Sequence, residues 1–445
     1  MYEQQYIEFY NSFHKKLREN SANILNVFRD ENFENFVKNG FPTKKNEDYR
    51  YSQLPEVMKS NFGLNINRLK FQIDKNFLFH CKIPSINAVL AFMVNDNFYL
   101  PENQKNNLPS GVVFCSLSDA EKNYPDLVKK YFNTQAKKSE DSFVSFNSAF
   151  AQDGYFLYIQ QDAKLENPLQ LINLLRSANA LMVNSRNLIV VEKGADAKIL
   201  VCNHTADDTD FFASRVTEIF VEDGAKFECC ILENSSLLTN SFSQLFVNQK
   251  DNSQVKISQL GLNNAIVRNN ILAEINGQNA DLFLGGMLIS DGKQETENNT
   301  LIVHNQPHST SNELFKYILD ESSHGVFSGK IVVNQAAQKT ESRQTNKNIC
   351  LTKQAQMHAR PQLEIYADDV KCGHGATTGQ LDFDALFYLR TRGISEKEAK
   401  LMLLSAFVSD VLDKISLPVL RERLTLMVEK RLKKDNSHCN GCFLC

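Results

Sequence analysis

Apolar residues near the start of the chain recur at helical spacing. Two series lie between residues 2 and 36: Ile7, Tyr10, Phe13 and Leu17, then Ile24, Val27 and Phe28. Steps of three and four residues place such side chains on one helical face. We therefore expect two helices that pack on the rest of the molecule. Short apolar runs from about residue 71 to 115 then predict a small mixed unit, and a helical segment follows near residues 118 to 150.

From about residue 155 to 380, short runs alternate apolar and polar residues and are separated by Gly, Asn and Asp. Such runs predict strands joined by turns. A glycine-led phrase recurs at Gly194 and Gly224, about 30 residues apart, with a looser echo at Gly277. This period is typical of a solenoid whose coils bury apolar side chains only against their neighbours. Because no long helical pattern interrupts the strands, the region is mainly β, either a parallel β-helix or a β-sandwich.

Helical spacing returns after residue 382. The segment 383–393 predicts a short helix with Gly393 just past its end, and Ser395 with Glu398 forms a capping box that begins a second helix. Its apolar face contains Leu404, Val408, Val411, Leu412 and Ile415, widened by Leu403 and Phe407. A third helix is predicted over 418–433. The patterns divide the chain into 1–150, 151–382, 383–433 and a cysteine-rich tail, 434–445.

Composition narrows the class of protein. With 445 residues, 42% of them apolar, the chain is long enough to bury a large core. Its net charge of −3 provides no positive excess for nucleic acid phosphates. No apolar run approaches the roughly 20 residues that span a bilayer, and the first residues do not resemble a signal peptide. We expect a cytosolic protein whose ten cysteines are mostly reduced thiols.

Cys372 and His374 are the strongest candidates for chemistry. In a regular strand a spacing of two places both side chains on one face, and thiolate with imidazole suits iron or zinc. Gly373 and Gly375 remove bulk beside the histidine, so another backbone or a cluster could approach closely. The spacing alone leaves open a structural alternative, a buried thiol beside a hydrogen-bonded core histidine.

The end of the chain carries a second cysteine pattern. Cys439, Cys442 and Cys445 are spaced C-x2-C-x2-C after His438. Three such thiols could hold a thiophilic metal or accept persulfide sulfur. The alternative is a terminus without a preformed site, whose cysteines are merely prone to oxidation.

Three further residue pairs have weaker interpretations. Cys229 and Cys230 point in opposite directions on a predicted strand, so one buried and one surface thiol are expected. His304 and His308 are a possible metal pair, although their Pro-containing surroundings are typical of a loop. Asp368 and Asp369 would face opposite ways on a strand.

The common signatures of enzymes are absent from the sequence. The segment GVFSGKI (325–331) is too short between its glycines for a P-loop and ends in isoleucine, so nucleotide hydrolysis is not predicted for this chain. The sequence also contains no G-x-S-x-G, H-E-x-x-H or G-x-G-x-x-G. The usual hydrolase, zinc-protease and dinucleotide-binding classes are therefore not indicated.

Three features occur together late in the chain: Gly325 and Gly329 around an alternating strand, a Gln/Asn-rich stretch over 335–348, and VKCGHGATTG (370–379) leading into a helix. Their combination resembles the SufB/SufD family of iron–sulfur cluster assembly proteins, over roughly residues 150 to 420, and most resembles the SufD branch. PTKKNEDYRYSQL (42–54) is similar to the amino-terminal signature of that branch. The resemblance implies a right-handed parallel β-helix flanked by helical regions.

The resemblance also implies a function, that of a non-catalytic scaffold. The partners would be a SufB-like paralogue, or a second copy of this chain, and a SufC-like ABC ATPase that docks on the terminal helices. The wide apolar face of the predicted helix over 395–415 leads us to expect Leu403 and Phe407 at this docking surface. Cys372 and His374 would lie at the interface with the SufB-like chain, where a transient iron–sulfur cluster forms. Whether a flavin binds stays open.

One departure from the SufB pattern supports the SufD branch. Where the resemblance places a cluster-holding cysteine of SufB, this chain has Asn346 to Asn348, with Cys350 a few residues later. The rival hypothesis is a carbohydrate-active β-helix enzyme, a lyase or hydrolase. Such an enzyme needs clustered carboxylates, for which Asp368 and Asp369 are the only local candidates, and it usually carries a secretion signal.

Overall fold

The computed structural model describes residues 3–69 and 88–434. The described helices are α1 (Glu3–Glu19), α2 (Asn23–Asn39), α3 (Leu54–Val57), α4 (Glu102–Lys105), α5 (Leu117–Asn123), α6 (Pro125–Tyr131), α7 (Ser142–Phe150), α8 (Phe383–Thr391), α9 (Glu396–Leu412) and α10 (Pro418–Leu432). Short 3-10 turns occur at Glu47–Tyr49 and Ala136–Lys138.

The strands begin with β1 (Gly63–Leu64), β2 (Val89–Val94), β3 (Asn97–Tyr99), β4 (Val112–Ser116), β5 (Tyr155–Ile159), β6 (Leu169–Leu175), β7 (Leu181–Val191), β8 (Asp196–Thr205), β9 (Phe211–Val221) and β10 (Lys226–Asn234). They continue with β11 (Thr239–Gln249), β12 (Gln254–Asn263), β13 (Ile266–Ile275), β14 (Asp281–Ser290), β15 (Glu295–His304), β16 (Thr310–Leu319), β17 (His324–Val333), β18 (Glu341–Cys350), β19 (Gln356–Ile365) and β20 (Lys371–Gly379).

Two ten-stranded sheets form the body of the molecule. From β5 onward the odd-numbered strands lie side by side in one sheet and the even-numbered strands in the other, so the chain passes from sheet to sheet at every turn. Neighbours within each sheet are parallel, as β7 is with β9 and β18 with β20. This arrangement confirms the predicted parallel β-helix, and the β-sandwich alternative is wrong.

Alternate strand positions fill the interior of the solenoid. Ile199, Cys229, Ile257 and Leu284 lie in register on four successive strands of the even-numbered sheet and belong to the largest buried cluster. Each coil therefore buries its apolar side chains against the coils on either side. Burial of one such side chain contributes about 1.5–3 kcal/mol.

A column of left-handed turn residues joins the coils. Gly194 and Gly224 have φ values of 69° and 66°, and Asn252 has the same conformation at 56°. Each donates its backbone N–H to a carbonyl of the following coil; the Gly224 N–H donates to Asp251 at 2.7 Å. Glycine adopts this conformation without the steric penalty of a Cβ, which explains the repeated glycines in the sequence.

Gly277 serves a different purpose from the other two glycines. In its coil the left-handed residue is Asn279, with φ 54°. A Cβ added at Gly277 would lie 2.0 Å from the carbonyl carbon of Lys250. This glycine is therefore required by the close approach of two backbones in adjacent coils.

The first coil is closed by strands that run against the solenoid direction. β3 pairs antiparallel with β2, and β4 pairs antiparallel with β5. The short apolar runs between residues 88 and 115 thus extend the two sheets. Helices α5 and α6 pack beside them in a separate apolar cluster.

The two predicted amino-terminal helices are present as α1 and α2, but part of the predicted apolar face is wrong. Helix α1 buries Tyr6, Tyr10 and Leu17, whereas Phe13 is 43% exposed. In α2, Val27 is 69% exposed. The buried face is rotated from the predicted one because α1 packs onto a cluster of phenylalanines from distant segments.

The segment 42–54 lies across the outer face of the odd-numbered sheet. The Ser52 hydroxyl donates to Glu297 at 2.5 Å, and Glu297 forms a buried ion pair with Arg268 at 2.6 Å. The Arg268 guanidinium lies 3.8 Å from the ring centroid of Tyr49. A buried ion pair is stable only with such additional contacts, so the segment and the sheet stabilise each other.

The three carboxy-terminal helices cover the outer face of the even-numbered sheet. The predicted stripe is buried, with Val408 and Val411 at 0% exposure, and Gly393 has the expected left-handed φ of 85°. The Ser395 hydroxyl accepts from the backbone N–H of Glu398, as a capping residue does. The prediction that one of Cys229 and Cys230 is a surface thiol is wrong. Both are 3% exposed, because Cys230 points outward beneath these helices.

Among the helices of ranges 3–69 and 88–434, none combines the length and apolarity that crossing a membrane requires.

The column of left-handed turn residues predicts that the stability of the protein depends more on the backbone conformation at position 224 than on the volume of the side chain placed there. No atom lies within 4 Å of a Cβ built there. Gly224→Val should therefore lower the free energy of unfolding by about 1–2 kcal/mol, the usual penalty for a left-handed residue with a Cβ. Gly224→Asn should lower it much less, since Asn252 adopts this conformation one coil later. Chemical denaturation of the two variants measures this, and equal losses for Val and Asn would contradict the explanation.

Candidate functional site

The carboxy-terminal end of the solenoid is an open edge. Within the described ranges, β19 pairs with β17 and β20 pairs with β18, and neither has a strand on its other side. No residue of β19 or β20 is buried, whereas most residues of β7 to β17 are buried. The outer backbone N–H and C=O groups of both strands are free to pair with another chain.

Cys372 and His374 lie on β20, at this open edge. Their register partners on β18 are Ser342 and Gln344, both buried and directed into the solenoid. The spacing of two therefore places both side chains on the interior face of the final strand. Cys372 is half-buried against the core, and burial raises the pKa of its thiol. His374 is exposed. Their role as ligands stays a prediction.

The glycines of β20 are not required by contacts within the chain. A Cβ built at Gly373, Gly375 or Gly379 meets no atom within 4 Å. None of the three has the positive φ that favours glycine. They leave a flat, open surface beside His374, on which a second backbone can lie closely.

One column of the interior becomes polar in the last coils. Glu313 on β16 is 0% exposed and accepts from the Thr300 hydroxyl at 2.5 Å and from the Gln344 amide at 2.6 Å. Burial raises the pKa of the Glu313 carboxyl to about 7. A Cβ added at Gly329 would lie 2.4 Å from the Gln344 amide nitrogen, so this glycine makes room for the pair.

A second polar contact crosses the interior at the level of Cys372. The imidazole of His304 lies 2.8 Å from the Ser311 hydroxyl, which is 2.6 Å from the hydroxyl of Ser342. Burial lowers the pKa of His304 to about 4, so the ring is neutral at physiological pH. His308 instead occupies the left-handed turn position of its coil, with φ 62°, and is exposed. The two histidines therefore do not face a common metal position.

Cys350 lies far from Cys372 along the strand direction. It ends β18, eight positions after Ser342, the register partner of Cys372. At about 3.3 Å per residue this corresponds to roughly 26 Å. Asn346 and Asn348, between them, are buried and hydrogen-bonded to each other at 2.7 Å. The structure thus does not bring Cys350 to the pair on β20.

The expectation that Asp368 and Asp369 lie on a strand is wrong. Both lie in the turn between β19 and β20 and are exposed. Asp369 forms an ion pair with Lys339 of the preceding coil. The turn holds them because it repeats the stacked turns of the earlier coils, where the Lys339 N–H donates to the Asp369 carbonyl.

The two predicted ATPase-docking residues are half-buried on α9. Leu403 and Phe407 both pack at the margin of the cluster beneath the carboxy-terminal helices. Lys316 of β16 donates to the Phe407 carbonyl at 2.6 Å and lies 2.8 Å from Asp410. Phe407 thus has a packing role within the chain.

Larger exposed side chains lie close by in sequence and were not predicted. On α8 the rings of Phe383, Phe387 and Tyr388 are 64%, 69% and 56% exposed, and Met402 of α9 is 50% exposed. The sequence signal was available, since the α8 segment FDALFYLRT has apolar residues on more than one face. Only Leu386 of that helix is buried.

Glu313 and Gln344 were also missed. The available signal was a carboxylate at an inward position of the alternating β16 segment TSNELFKYIL. The tail thiols Cys439, Cys442 and Cys445 lie outside the described residues. Among residues 3–69 and 88–434, no group of three or more His, Cys, Asp or Glu side chains could hold a metal ion.

Comparison with known proteins gives consistent matches along the chain. Residues 173–407 match the family model described as SUF system FeS cluster assembly, SufBD core domain, and residues 1–171 match the SufBD protein N-terminal region. An iron–sulfur cluster assembly SufBD family protein of Synechocystis is 28% identical over 400 residues, 88% of this chain and 87% of the relative.

Two bacterial relatives carry the name iron–sulfur cluster assembly protein SufD. The Escherichia coli protein is 25% identical over 405 residues, which are 90% of this chain and 92% of the relative. The Bacillus subtilis protein is 25% identical over 333 residues, which are 73% of this chain and 74% of the relative.

The buried carboxyl predicts a pH-dependent stability. Because burial raises the pKa of Glu313 to about 7, above the usual value of about 4.3, the folded state binds a proton that the unfolded state releases. Below about pH 4 the carboxyl is protonated in both the folded and the unfolded state, and the protein keeps its full stability. The free energy of unfolding then falls as pH rises through 7. Because Gln cannot ionise, the free energy of unfolding of Glu313→Gln should exceed that of wild type by up to about 3 kcal/mol as pH rises across this window. Chemical denaturation of both proteins at pH 5 and pH 8 tests this prediction. An equal difference in unfolding free energy at the two pH values would contradict the raised pKa of Glu313.

Proposed function

Because this chain belongs to the SufBD family of iron–sulfur cluster assembly proteins, we propose that it is a SufD-like scaffold subunit without catalytic activity of its own. The observation that carries the proposal is the open end of the solenoid, where Cys372 and His374 lie on an edge strand with no neighbour on its outer side in the described chain. Nascent clusters would be built there, in the cytosol, as cargo for transfer to other proteins.

The partner at the open end is a SufB-like chain. Free backbone groups along β19 and β20 can extend each sheet by hydrogen bonding to another solenoid. The unhindered surface at Gly373, Gly375 and Gly379 allows a second backbone to approach. A second copy of this chain is the alternative occupant, and the two cases differ in whether a paralogue copurifies.

The number of ligands also favours a shared site. Iron–sulfur clusters are commonly held by about four protein ligands, and this edge offers one thiol and one imidazole. Burial raises the pKa of Cys372, so its thiol stays protonated until a metal or a cation approaches. The remaining ligands would come from the partner, which makes the cluster transient and dependent on assembly.

The ATPase partner docks on the carboxy-terminal helices. The sequence lacks a P-loop, so a SufC-like ABC ATPase would supply nucleotide hydrolysis. Phe383, Phe387 and Tyr388 expose large aromatic surface on α8, and exposed apolar patches of this kind commonly mark interaction sites. We place Leu403 and Phe407 at the margin of the same surface, where α9 meets the solenoid.

A carbohydrate-active enzyme is not favoured. Family membership points to cluster assembly, and the candidate carboxylates Asp368 and Asp369 are exposed turn residues, one of them paired with Lys339. A lyase or hydrolase would need its carboxylates to converge on a bound sugar.

The first functional prediction concerns the cluster. His374→Ala should reduce the iron and sulfide recovered on the complex about tenfold or more without weakening its assembly, because a ligand is lost while the edge backbone is unchanged. Cys372→Ala should have a milder effect. Cys350→Ala is the matched control, a half-buried thiol far along the strand, and should change neither quantity. Unchanged iron and sulfide in an assembled His374→Ala complex would reduce His374 to a structural residue.

The second concerns ATPase docking. Phe387→Glu should abolish copurification of the ATPase and leave the circular dichroism spectrum unchanged, because this ring is 69% exposed. Val27→Glu on α2, also 69% exposed, is the matched control and should bind normally. Phe407→Glu should also lose binding, with some loss of stability since Lys316 packs on that ring. Full ATPase binding by Phe387→Glu and Phe407→Glu would place the interface elsewhere.

A further inference from the structure

Polar side chains that are register neighbours form hydrogen-bonded ladders in this solenoid. The Asn173 amide donates to Asn203 on the next strand of its sheet at 2.7 Å. The Asn269 amide donates to Asn298 in the same way at 3.2 Å. Since strands in register are about 4.8 Å apart, one amide reaches the next along the column. Such a ladder continues as far as neighbouring residues supply donors and acceptors.

The ladder inside the last coils consists of Glu313, Gln344 and His374, which are register neighbours on β16, β18 and β20. The Gln344 amide nitrogen donates to Glu313 at 2.6 Å. Above its pKa of about 7 the Glu313 carboxyl is ionised and only accepts hydrogen bonds, so it fixes which end of the amide faces it. The amide oxygen of Gln344 must then be used elsewhere.

That oxygen is buried and has no hydrogen-bond partner in the described part of the chain. Gln344 itself is 0% exposed. A buried acceptor left without a donor costs about 1–3 kcal/mol, so a donor is expected to meet it in the working state. The next position in the ladder is His374, and an imidazole N–H is such a donor.

Resting on the proposed role of His374 as a cluster ligand, we propose that Gln344 accepts a hydrogen bond from one ring nitrogen of His374 and leaves the other free to bind iron. Glu313 holds the Gln344 amide in the orientation that this requires. Both are positioning residues. Histidine ligands commonly donate their second ring N–H to a fixed acceptor, which sets the tautomer and the direction of the ring.

The arrangement also explains Gly329. Any other residue at position 329 of β17 would place its Cβ 2.4 Å from the Gln344 amide nitrogen and displace the amide from Glu313. Glycine at this position is therefore needed to keep the acceptor directed at β20. Thr300, which donates to the other oxygen of Glu313, holds the carboxylate from the opposite sheet.

The direct test is the tautomer of His374 in the full chain, observed by nitrogen-15 NMR of ring-labelled histidine near pH 8.5. The His374 signal is identified by its loss in His374→Ala. One tautomer should predominate in wild type, and Gln344→Met, similar in volume but without an acceptor, should show the mixture found in a short peptide. Asn269→Ala, which removes a rung in an earlier coil, is the control and should match wild type.

A reciprocal variant guards against a purely structural effect. Glu313→Gln combined with Gln344→Glu reverses the pair but keeps an acceptor facing His374, so the wild-type tautomer should return. A mixture of tautomers already present in wild type would overturn the proposal, even if Gln344→Met does not fold.

A second readout separates this proposal from the proposed function. Iron bound to the assembled complex should fall about tenfold in Gln344→Met and recover in the reciprocal variant. If His374→Ala keeps its iron while the tautomers behave as expected, the cluster role of His374 fails and the hydrogen bond stands. If His374→Ala loses iron and Gln344→Met does not alter the tautomer, the positioning role fails alone.

Discussion

Coil-on-coil backbone pairing is the constraint on which the rest of this structure depends. Each strand of a parallel solenoid satisfies its N–H and C=O groups only through the strands before and after it. At the first coil the antiparallel strands β3 and β4 pair with β2 and β5 and so cover the edge of each sheet. At the last coil, β19 and β20 carry no such cover in the described chain. The unpaired backbone groups of such an edge are a template for pairing with another chain.

One column of the interior changes from apolar to polar side chains toward the same end. This column runs from Ile199 through Ile257 and Leu284 to Glu313, and continues through Gln344 and His374. Buried polar groups are unfavourable unless they are hydrogen-bonded; Glu313 accepts from Thr300 across the coils and from Gln344 along them. Apolar packing stabilises the first part of the column. Hydrogen bonds order the last part, so that side chains are presented at the open edge in fixed orientations.

The sequence predicted what local pattern determines. Repeated glycines marked the turns, because only a few residue types adopt a left-handed conformation, and a spacing of two placed Cys372 and His374 on one face. It could not predict what distant segments cover. Cys230 is buried by helices almost 200 residues later, and Phe13 is exposed because phenylalanines from α7 and the sheet fix the rotation of α1. The Glu313–Gln344 contact depends on the register of two coils, which alternation alone does not reveal.

Hydrogen–deuterium exchange along β19 and β20 tests the central claim most directly, measured in the isolated chain and after addition of a SufB-like chain, the partner proposed for the open edge. If the open edge is the assembly surface, the backbone N–H groups of β19 and β20 that point toward the open edge exchange much more slowly in the complex. The amides of α1 and α2 are unaffected. Unchanged exchange in β19 and β20, with new protection elsewhere on the chain, would contradict the account.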